Sequence, residues 1–396
     1  MILAHLGDLH LGYRAYHRMA AGGVNARERD VALAFRAAVD RLVELRPDVV
    51  LVAGDVFHTV RPSNSAITDA FRQFLRLRAG VGEAPILVVA GNHDSPRSVE
   101  TGSILRLLAE IPAVTVVDGA EPRRVHLEEL STSVLCVAHA ALAGEQPVEL
   151  EPDPDATHNV LLTHATAVGG GAEEKLRFAL EFGGARIDLG QLRPDRWTYV
   201  ALGHYHHATP LAPNAWYCGG LERTTTNIWE EAAGEKGFLT FDTEARSARF
   251  HPVPCRPCVD LPPLSALREG GGYAEAAELD AAIRGSVEGV PDGIAGKLVR
   301  LVIRDVPKEL FRALDHDRIR AWKAEALHFH LDVRRPEVRR VTGAGHAGRR
   351  LTLEEEVETF LTRRWRATSE DVDPTRLARL AAGYLAEVAE AEEAEA

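Results

Sequence analysis

The chain has 396 residues, 45% of them hydrophobic and 26% charged, with a formal net charge of −12. This length allows two or three domains, and the composition excludes wholesale disorder, a collagen-like fibre and a coiled-coil rod. The acidity excludes a clamp that grips nucleic acid through a basic surface alone; a polyanionic substrate must meet a local basic patch or bound cations.

No apolar run approaches the ~20 residues that span a bilayer, so no membrane association is expected. Met1-Ile2-Leu3-Ala4-His5-Leu6 lacks a basic n-region, so no signal peptide is expected either. Four cysteines in such a chain are not a disulfide framework, and a reducing cytoplasm is the expected compartment.

Five short apolar runs dominate the first two-thirds: Ile2-Leu3-Ala4-His5-Leu6, Val49-Val50-Leu51-Val52-Ala53, Ile86-Leu87-Val88-Val89-Ala90, Val160-Leu161-Leu162 and Tyr199-Val200-Ala201-Leu202. Short β-rich runs without alternation predict strands buried on both faces. Helical patterns lie between some of them, one from Glu28 to Leu45 closed by Pro47 and one through Ile67, Phe71, Phe74 and Leu75. The alternation predicts a layered α/β domain over residues 1–260. Prolines 252, 254, 257, 262 and 263 mark its end.

A smaller α/β unit is expected over residues 261–335, with a helix at Tyr273–Ile283, a strand at Leu298–Ile303, a helix near Glu309–Trp322 and a strand at Leu327–Val333. Residues 336–351 carry Gly343-Ala344-Gly345-His346-Ala347-Gly348 between arginine pairs and read as a flexible linker. Residues 352–396 read as a helical hairpin. Its first helix opens on Thr352-Leu353-Glu354-Glu355, a capping box. Its second follows Asp373-Pro374 and carries Leu377, Leu380, Tyr384, Leu385 and Val388 on one stripe. Such a hairpin cannot bury both stripes in itself, so it packs on the body or receives a partner helix.

Each of the five strands ends in a metal-capable residue: Gly7-Asp8-Leu9-His10, Gly54-Asp55, Gly91-Asn92-His93-Asp94, Thr163-His164 and Gly203-His204-Tyr205-His206. In open α/β sheets, ligands bind beyond the carboxyl ends of strands, where separate loops converge. The glycine before four of these segments is expected to supply a sharp turn. One strand-end histidine is more often structural than a ligand; five in register is a pattern that a fold alone does not require. Carboxylates, an amide oxygen and imidazoles without thiolate suit Mn²⁺ or Fe²⁺, with Zn²⁺ possible, and are too nitrogen-rich for Ca²⁺ or Mg²⁺. The set is too large for one ion and suits two, roughly 3.5–4 Å apart, the arrangement of phosphoester hydrolysis.

The set D-x-H, GD, GNHD, H and GHxH resembles the calcineurin-like metallophosphoesterase superfamily. Gly54-Asp55-Val56-Phe57-His58, Gly91–Pro96, Tyr199–His204, Tyr217-Cys218-Gly219-Gly220-Leu221-Glu222-Arg223 and Lys236-Gly237-Phe238 narrow the resemblance to the SbcD nuclease family. The resemblance implies a metallophosphoesterase β-sandwich flanked by helices, with a capping domain. It implies one metal on Asp8, His10 and His206, a second on Asn92, His164 and His204, and Asp55 bridging both, the ions being Mn²⁺. His93 resembles the general acid, with Asp94 orienting its ring, and His58 resembles a position that handles the scissile phosphate. A homodimer, DNA as substrate, and an SbcC-type ATPase docked through the C-terminal helices are also implied, with a nucleoid-associated location. A small-molecule phosphodiesterase of the same superfamily is the alternative, because the metal residues do not separate the two.

Other motifs read more plainly. Cys255-Arg256-Pro257-Cys258 has no second cysteine pair for structural zinc, His5 reads as a hydrogen-bonded core residue, and His207 as a surface one. The stripes at Ile67–Leu75 and Ile104–Ile111 read as core or as a dimer face.

Overall fold

The computed structural model describes residues 1–96, 102–144, 147–172, 176, 184–268, 270–336, 353–365, 373 and 375–384. Residues 1–336 form one compact unit and residues 337–396 another.

In the larger unit, two six-stranded sheets face each other. The first runs, in spatial order, Ser247–Pro252, Gly237–Asp242, Ile2–Leu6, Val49–Ala53, Ile86–Val89 and Val114–Val117. The second runs Thr209–Ala212, Ala215–Tyr217, Tyr199–Gly203, His158–His164, Thr132–Val137 and Arg123–Leu127. In each sheet the strands that carry candidate ligands are parallel neighbours: Leu3 pairs with Val49 and Val50 with Ile86, while Tyr199 pairs with Val160. Their carboxyl ends therefore meet at one rim.

The apolar runs without alternation follow from this layering. Successive strand residues point to opposite faces. Val134, Cys136, Val160, Leu162, Tyr199 and Ala201 turn into the core between the sheets. Leu135, Val137, Leu161, Val200 and Leu202 turn outward into a second buried cluster around Trp197 and Tyr217. On the far side of the first sheet lie the helices Ala26–Leu45 and Asn64–Gly80, capped by the side chains of Asn25 and Ser63. Phe35 and Phe74 meet between these helices with ring centroids 5.5 Å apart.

A third, three-stranded parallel sheet comprises Cys258–Ser265, Leu298–Arg304 and His328–Val333. Helices Ala276–Glu288 and His316–Glu325 bury Leu279, Ile283, Ile319 and Trp322 against Val299, Leu301, Ile303 and Phe329 on one of its faces. Pro262 and Pro263 lie within its edge strand, where a missing N–H costs no ladder bond, and the register shifts between Leu261 and Leu264. The helix expected near Glu309–Trp322 is two helices, Lys308–Arg312 and His316–Glu325. The break falls where Asp315 turns its carboxylate onto the Arg318 N–H as an N-cap.

In the smaller unit, Leu353–Thr359 is α-helical and continues as a π-helical turn through Phe360–Arg364; residues 375–384 form a further helix. Residues 337–351 of the expected linker, with its flanking arginines, lie outside the described residues, as do Thr352 of the expected capping box, Pro374, Leu385 and Val388. Among the described residues, no helix is long and apolar enough to cross a membrane.

Candidate metal centre

The rim where the strand ends meet is built by three loop crossings. Asp8 N–H donates to the Gly54 carbonyl at 3.0 Å, His10 N–H to the Asp55 carbonyl at 2.9 Å, and His204 N–H to both Asp8 carboxylate oxygens at 3.0 and 3.1 Å. Asp8, His10, Asp55, His164, His204 and His206 are all buried.

Glycine's part differs from the expected one. Only Gly54 of the four takes a positive φ, +85°. Gly91 and Gly203 are required for space instead, since a Cβ would strike Asp55 Oδ1 and the Ala53 carbonyl respectively. The turning is done by site residues themselves: Asp8, His10 and Asp55 have φ of 51°, 47° and 51°, and His204 has 97°. Residues held in these sparsely populated regions are over-determined by their surroundings and cluster at functional sites.

Among the described residues, Asp8, His10 and His206 form one group of ligand atoms, Asp55, His164 and His204 a second, and His10 with His58 and His93 a third, each with its atoms within 4.8 Å of one another. The first two contain the carboxylates. In the first, His10 Nε2 lies 3.1 Å from His206 Nε2. In the second, Asn92 Oδ1 stands 2.9 Å from His164 Nε2 and 3.1 Å from His204 Nδ1. Asp55 sits between the groups. Its Oδ1 accepts the His93 backbone N–H at 2.9 Å, while its Oδ2 lies 3.7 Å from His10 Nε2 and 3.4 Å from His164 Nε2.

The protonation of His164 shows what these groups suit. Its Nδ1–H donates to the Ala53 carbonyl at 2.8 Å, and burial pushes its pKa down to about 3. With Nδ1–H so engaged, Nε2 is the nitrogen that offers a lone pair when the ring is neutral. That lone pair faces Asn92 Oδ1 and Asp55 Oδ2, so three acceptors converge with no proton among them. A divalent cation satisfies that arrangement, and a backbone carbonyl on the far nitrogen is the usual support of a ligating imidazole. Burial, then the neighbouring His206, His93 and His58, hold His10 well below its ordinary range too. The donor set fits two divalent ions.

His93 and His58 flank the first group, half-buried, beside a cleft of about 400 Å³ also lined by Tyr13, Tyr16 and Thr224 to Thr226. The His93 and His58 rings stack with centroids 5.2 Å apart, and the His93 ring stands perpendicular to His10 at 4.9 Å. His58 Nδ1 lies 3.3 Å from His10 Nδ1.

The structure gives both His93 and Asp94 further partners. The His93 ring is oriented by the His58 carbonyl, which accepts Nδ1–H at 2.7 Å. The Asp94 carboxylate accepts the backbone N–H groups of Val56, Phe57 and Gly91 at 3.1, 2.9 and 3.1 Å, stapling the Asp55 loop to the Gly91 loop. Burial and the Asp55 charge push its pKa up to about 7. His207 is likewise not a surface residue: it is half-buried, tilted against Tyr205, and burial lowers its pKa. His5 is a core residue, its Nδ1 2.9 Å from the Tyr199 hydroxyl.

Behind His206 lies a buried polar layer that the motifs did not explain. Lys236 Nζ donates to the His206 carbonyl at 2.7 Å and pairs with Glu231, which also accepts from Thr225. Arg223 is buried and donates to the carbonyls of Glu231, Ala232, Gly234 and Arg256 and to Cys255 Sγ. The Tyr217–Arg223 block and Lys236 thus support the loop that carries Thr224, whose Oγ1 lies 3.4 Å from His206 Nδ1.

The family model for calcineurin-like phosphoesterases matches residues 1–208. Among curated proteins, the chain is similar to the DNA double-strand break repair protein Mre11 of Methanocaldococcus jannaschii, 35% identical over 250 residues, covering 61% of this chain and 62% of that one. The Mre11 proteins of Methanococcus maripaludis and Sulfolobus acidocaldarius are 36% identical over 111 residues and 26% over 208, covering 28% and 52% of this chain and 28% and 50% of theirs. The chain thus spans less than two thirds of these relatives. A solved dimetal phosphatase from Danio rerio aligns with a TM-score of 0.31 at 12% identity, covering 61% of this chain and 91% of that one, too slight a likeness to argue from. With the family model spanning more than half of its 396 residues, the chain belongs to the calcineurin-like phosphoesterase family.

Proposed function

We propose that the chain is a two-metal phosphodiesterase acting on DNA, an Mre11-like nuclease. The observation that carries this reading is the convergence of Asp55, Asn92, His164 and His204 beside a second group of Asp8, His10 and His206, and the similarity to Mre11 proteins supports DNA as the substrate. One ion would rest on Asp8, His10 and His206 and the other on Asn92, His164 and His204, with Asp55 shared; the nitrogen-rich, thiolate-free set favours Mn²⁺. Bound there, the ions supply neutralisation of the phosphate charge and a water of lowered pKa.

The remaining chemistry belongs to the chain's own residues. With Nδ1–H held on the His58 carbonyl, His93 presents Nε2 as the nitrogen that gives a proton to the leaving oxygen. His58 and Tyr13, perpendicular to each other with centroids 4.9 Å apart, wall the cleft where the scissile phosphate would sit. Asp94 holds the loops of Asp55 and His93 at a fixed spacing, a positioning role rather than a proton relay.

Residues 1–260 form the nuclease domain in this reading, 261–335 a cap and 336–351 a linker. The helices of 352–396 form a dock for a coiled-coil ATPase of the SbcC type. The partly exposed ridge of Ile67, Phe71, Leu75, Ile104 and Leu107 would be a homodimer face. The test is cleavage of a labelled hairpin-ended duplex in Mn²⁺, beside an EDTA control. Metal-dependent cutting is expected, and a truncation ending at residue 351 retains it. A chain that hydrolyses a chromogenic diester but leaves DNA intact, with or without such an ATPase, acts on small molecules instead.

A further inference from the structure

A second cleft, of about 500 Å³, lies where the third sheet meets the loop of residues 13–19. Tyr16, His17, Arg18, Lys323, His328 and His330 line it. In a chain of net charge −12, no carboxylate is among its lining residues. Arg18 fastens the two walls together by donating to the carbonyls of Lys323, Ala324 and Ala326, the end of helix His316–Glu325. Lys323 and His17 stay exposed, and among the described residues Lys323 has no carboxylate within ion-pair distance.

The cleft is also aromatic. Tyr16 stacks on His328 with centroids 3.8 Å apart and planes at 15°. His330 continues the row 5.9 Å beyond, at 21° to His328, and its ring is exposed. Trp229 stands near-parallel to both histidines, at 6.3 and 6.1 Å, with the Arg300 guanidinium 5.3 Å from its ring centre. Tyr16 takes this position at φ +57°, a left-handed conformation that is uncommon for a bulky side chain.

Tyr16, which lines the cleft, and Trp229, beside its histidines, both lead to the metal centre. Tyr16 also lines the cleft of His58 and His93. Trp229 belongs to the loop whose Thr224 touches His206.

We propose that this cleft is a subsite for an unpaired nucleotide of the DNA strand that enters the catalytic cleft, an inference that rests on the nuclease reading above. Parallel ring faces beside cationic side chains are the chemistry of single-strand binding, in which bases stack and phosphates meet charge. A base inside a duplex has its faces covered by its neighbours, so only an unstacked one can add to the row at His330. The volume suits one nucleotide and not a helix. The subsite therefore selects DNA ends that are frayed, hairpinned or overhanging.

The test uses the full chain carrying His93→Ala, so that DNA persists in Mn²⁺, and fluorescence anisotropy with a labelled oligothymidylate and a labelled blunt duplex. Adding His330→Ala is expected to weaken oligothymidylate binding about tenfold, the loss of one base–aromatic stack, and to leave duplex binding within about twofold. Adding Lys323→Ala instead lowers the salt slope of single-strand binding by roughly 0.7, one phosphate contact. Equal losses for the two DNA forms, or unchanged single-strand binding in both variants, overturn the subsite while leaving the nuclease reading intact. A chain that binds neither form overturns both.

Discussion

Lys236 and Glu231 form a buried ion pair, 1% and 0% exposed at their side chains, directly behind the candidate ligand His206. Replacing Lys236 with Met strands the Glu231 carboxylate in a site closed to water and removes the donor to the His206 carbonyl, 2.7 Å away. Breaking one side of such a pair costs about 3–5 kcal/mol, whereas replacing both partners with apolar groups is often near neutral. Glu231 also accepts the Thr225 N–H at 3.3 Å and the Thr225 hydroxyl. The double change Lys236→Met with Glu231→Leu therefore still forfeits about 1–3 kcal/mol for stranded donors. Urea unfolding should order the stabilities wild type, double variant, single variant. The single variant should also bind Mn²⁺ more weakly in calorimetry, because the backbone of His206 loses its anchor. A single variant within about 1 kcal/mol of wild type, or a double variant as damaged as the single, refutes this reasoning.

Asp55→Asn removes the shared charge between the two groups and should lower Mn²⁺ affinity and diester hydrolysis together, each by at least about 10–100-fold, the cost of losing even a supporting group; retention of both metals contradicts the bridging position. His93→Ala should keep metal content and lose roughly 10²–10⁴ in kcat on hairpin DNA, as removal of a general acid does. An unchanged kcat excludes that role. Burial lowers the His5 pKa to about 3, against 6.5 when unfolded. Its contribution to stability is thus complete above pH 6.5 and lost as pH falls toward 3, at up to about 1.4 kcal/mol per pH unit. In urea titrations of the metal-free chain, His5→Gln should flatten the pH slope over that window; parallel slopes sink the assignment.

The strands that bear candidate ligands were legible because each combines a run such as Val49–Ala53, buried on both faces, with a polar residue at its carboxyl end. Thr132–Val137 is as buried as these and packs against His158–His164, yet it ends in Val137-Ala138 and carries no such signal. Sheet order was not legible, since Gly237–Asp242 joins Ile2–Leu6 from more than 230 residues away along the chain. Roles within the site are less legible, because a residue's partners need not be its sequence neighbours. Asp94 follows His93 in the chain but faces three backbone N–H groups, while the group that orients the imidazole, the His58 carbonyl, lies 35 residues away. The same holds for Trp229 and His330: nothing in either segment announces the other, and only the packing of the third sheet beside the loop of residues 224–234 brings their rings to 6.1 Å.

The central claim is a pair of ions sharing Asp55. Crystals of the chain grown with Mn²⁺ and measured at the manganese absorption edge test it most directly. The account predicts two anomalous peaks roughly 3.5–4 Å apart, one against Asp8, His10 and His206 and one against Asn92, His164 and His204, with Asp55 between them. A single peak, or peaks away from these residues, contradicts it.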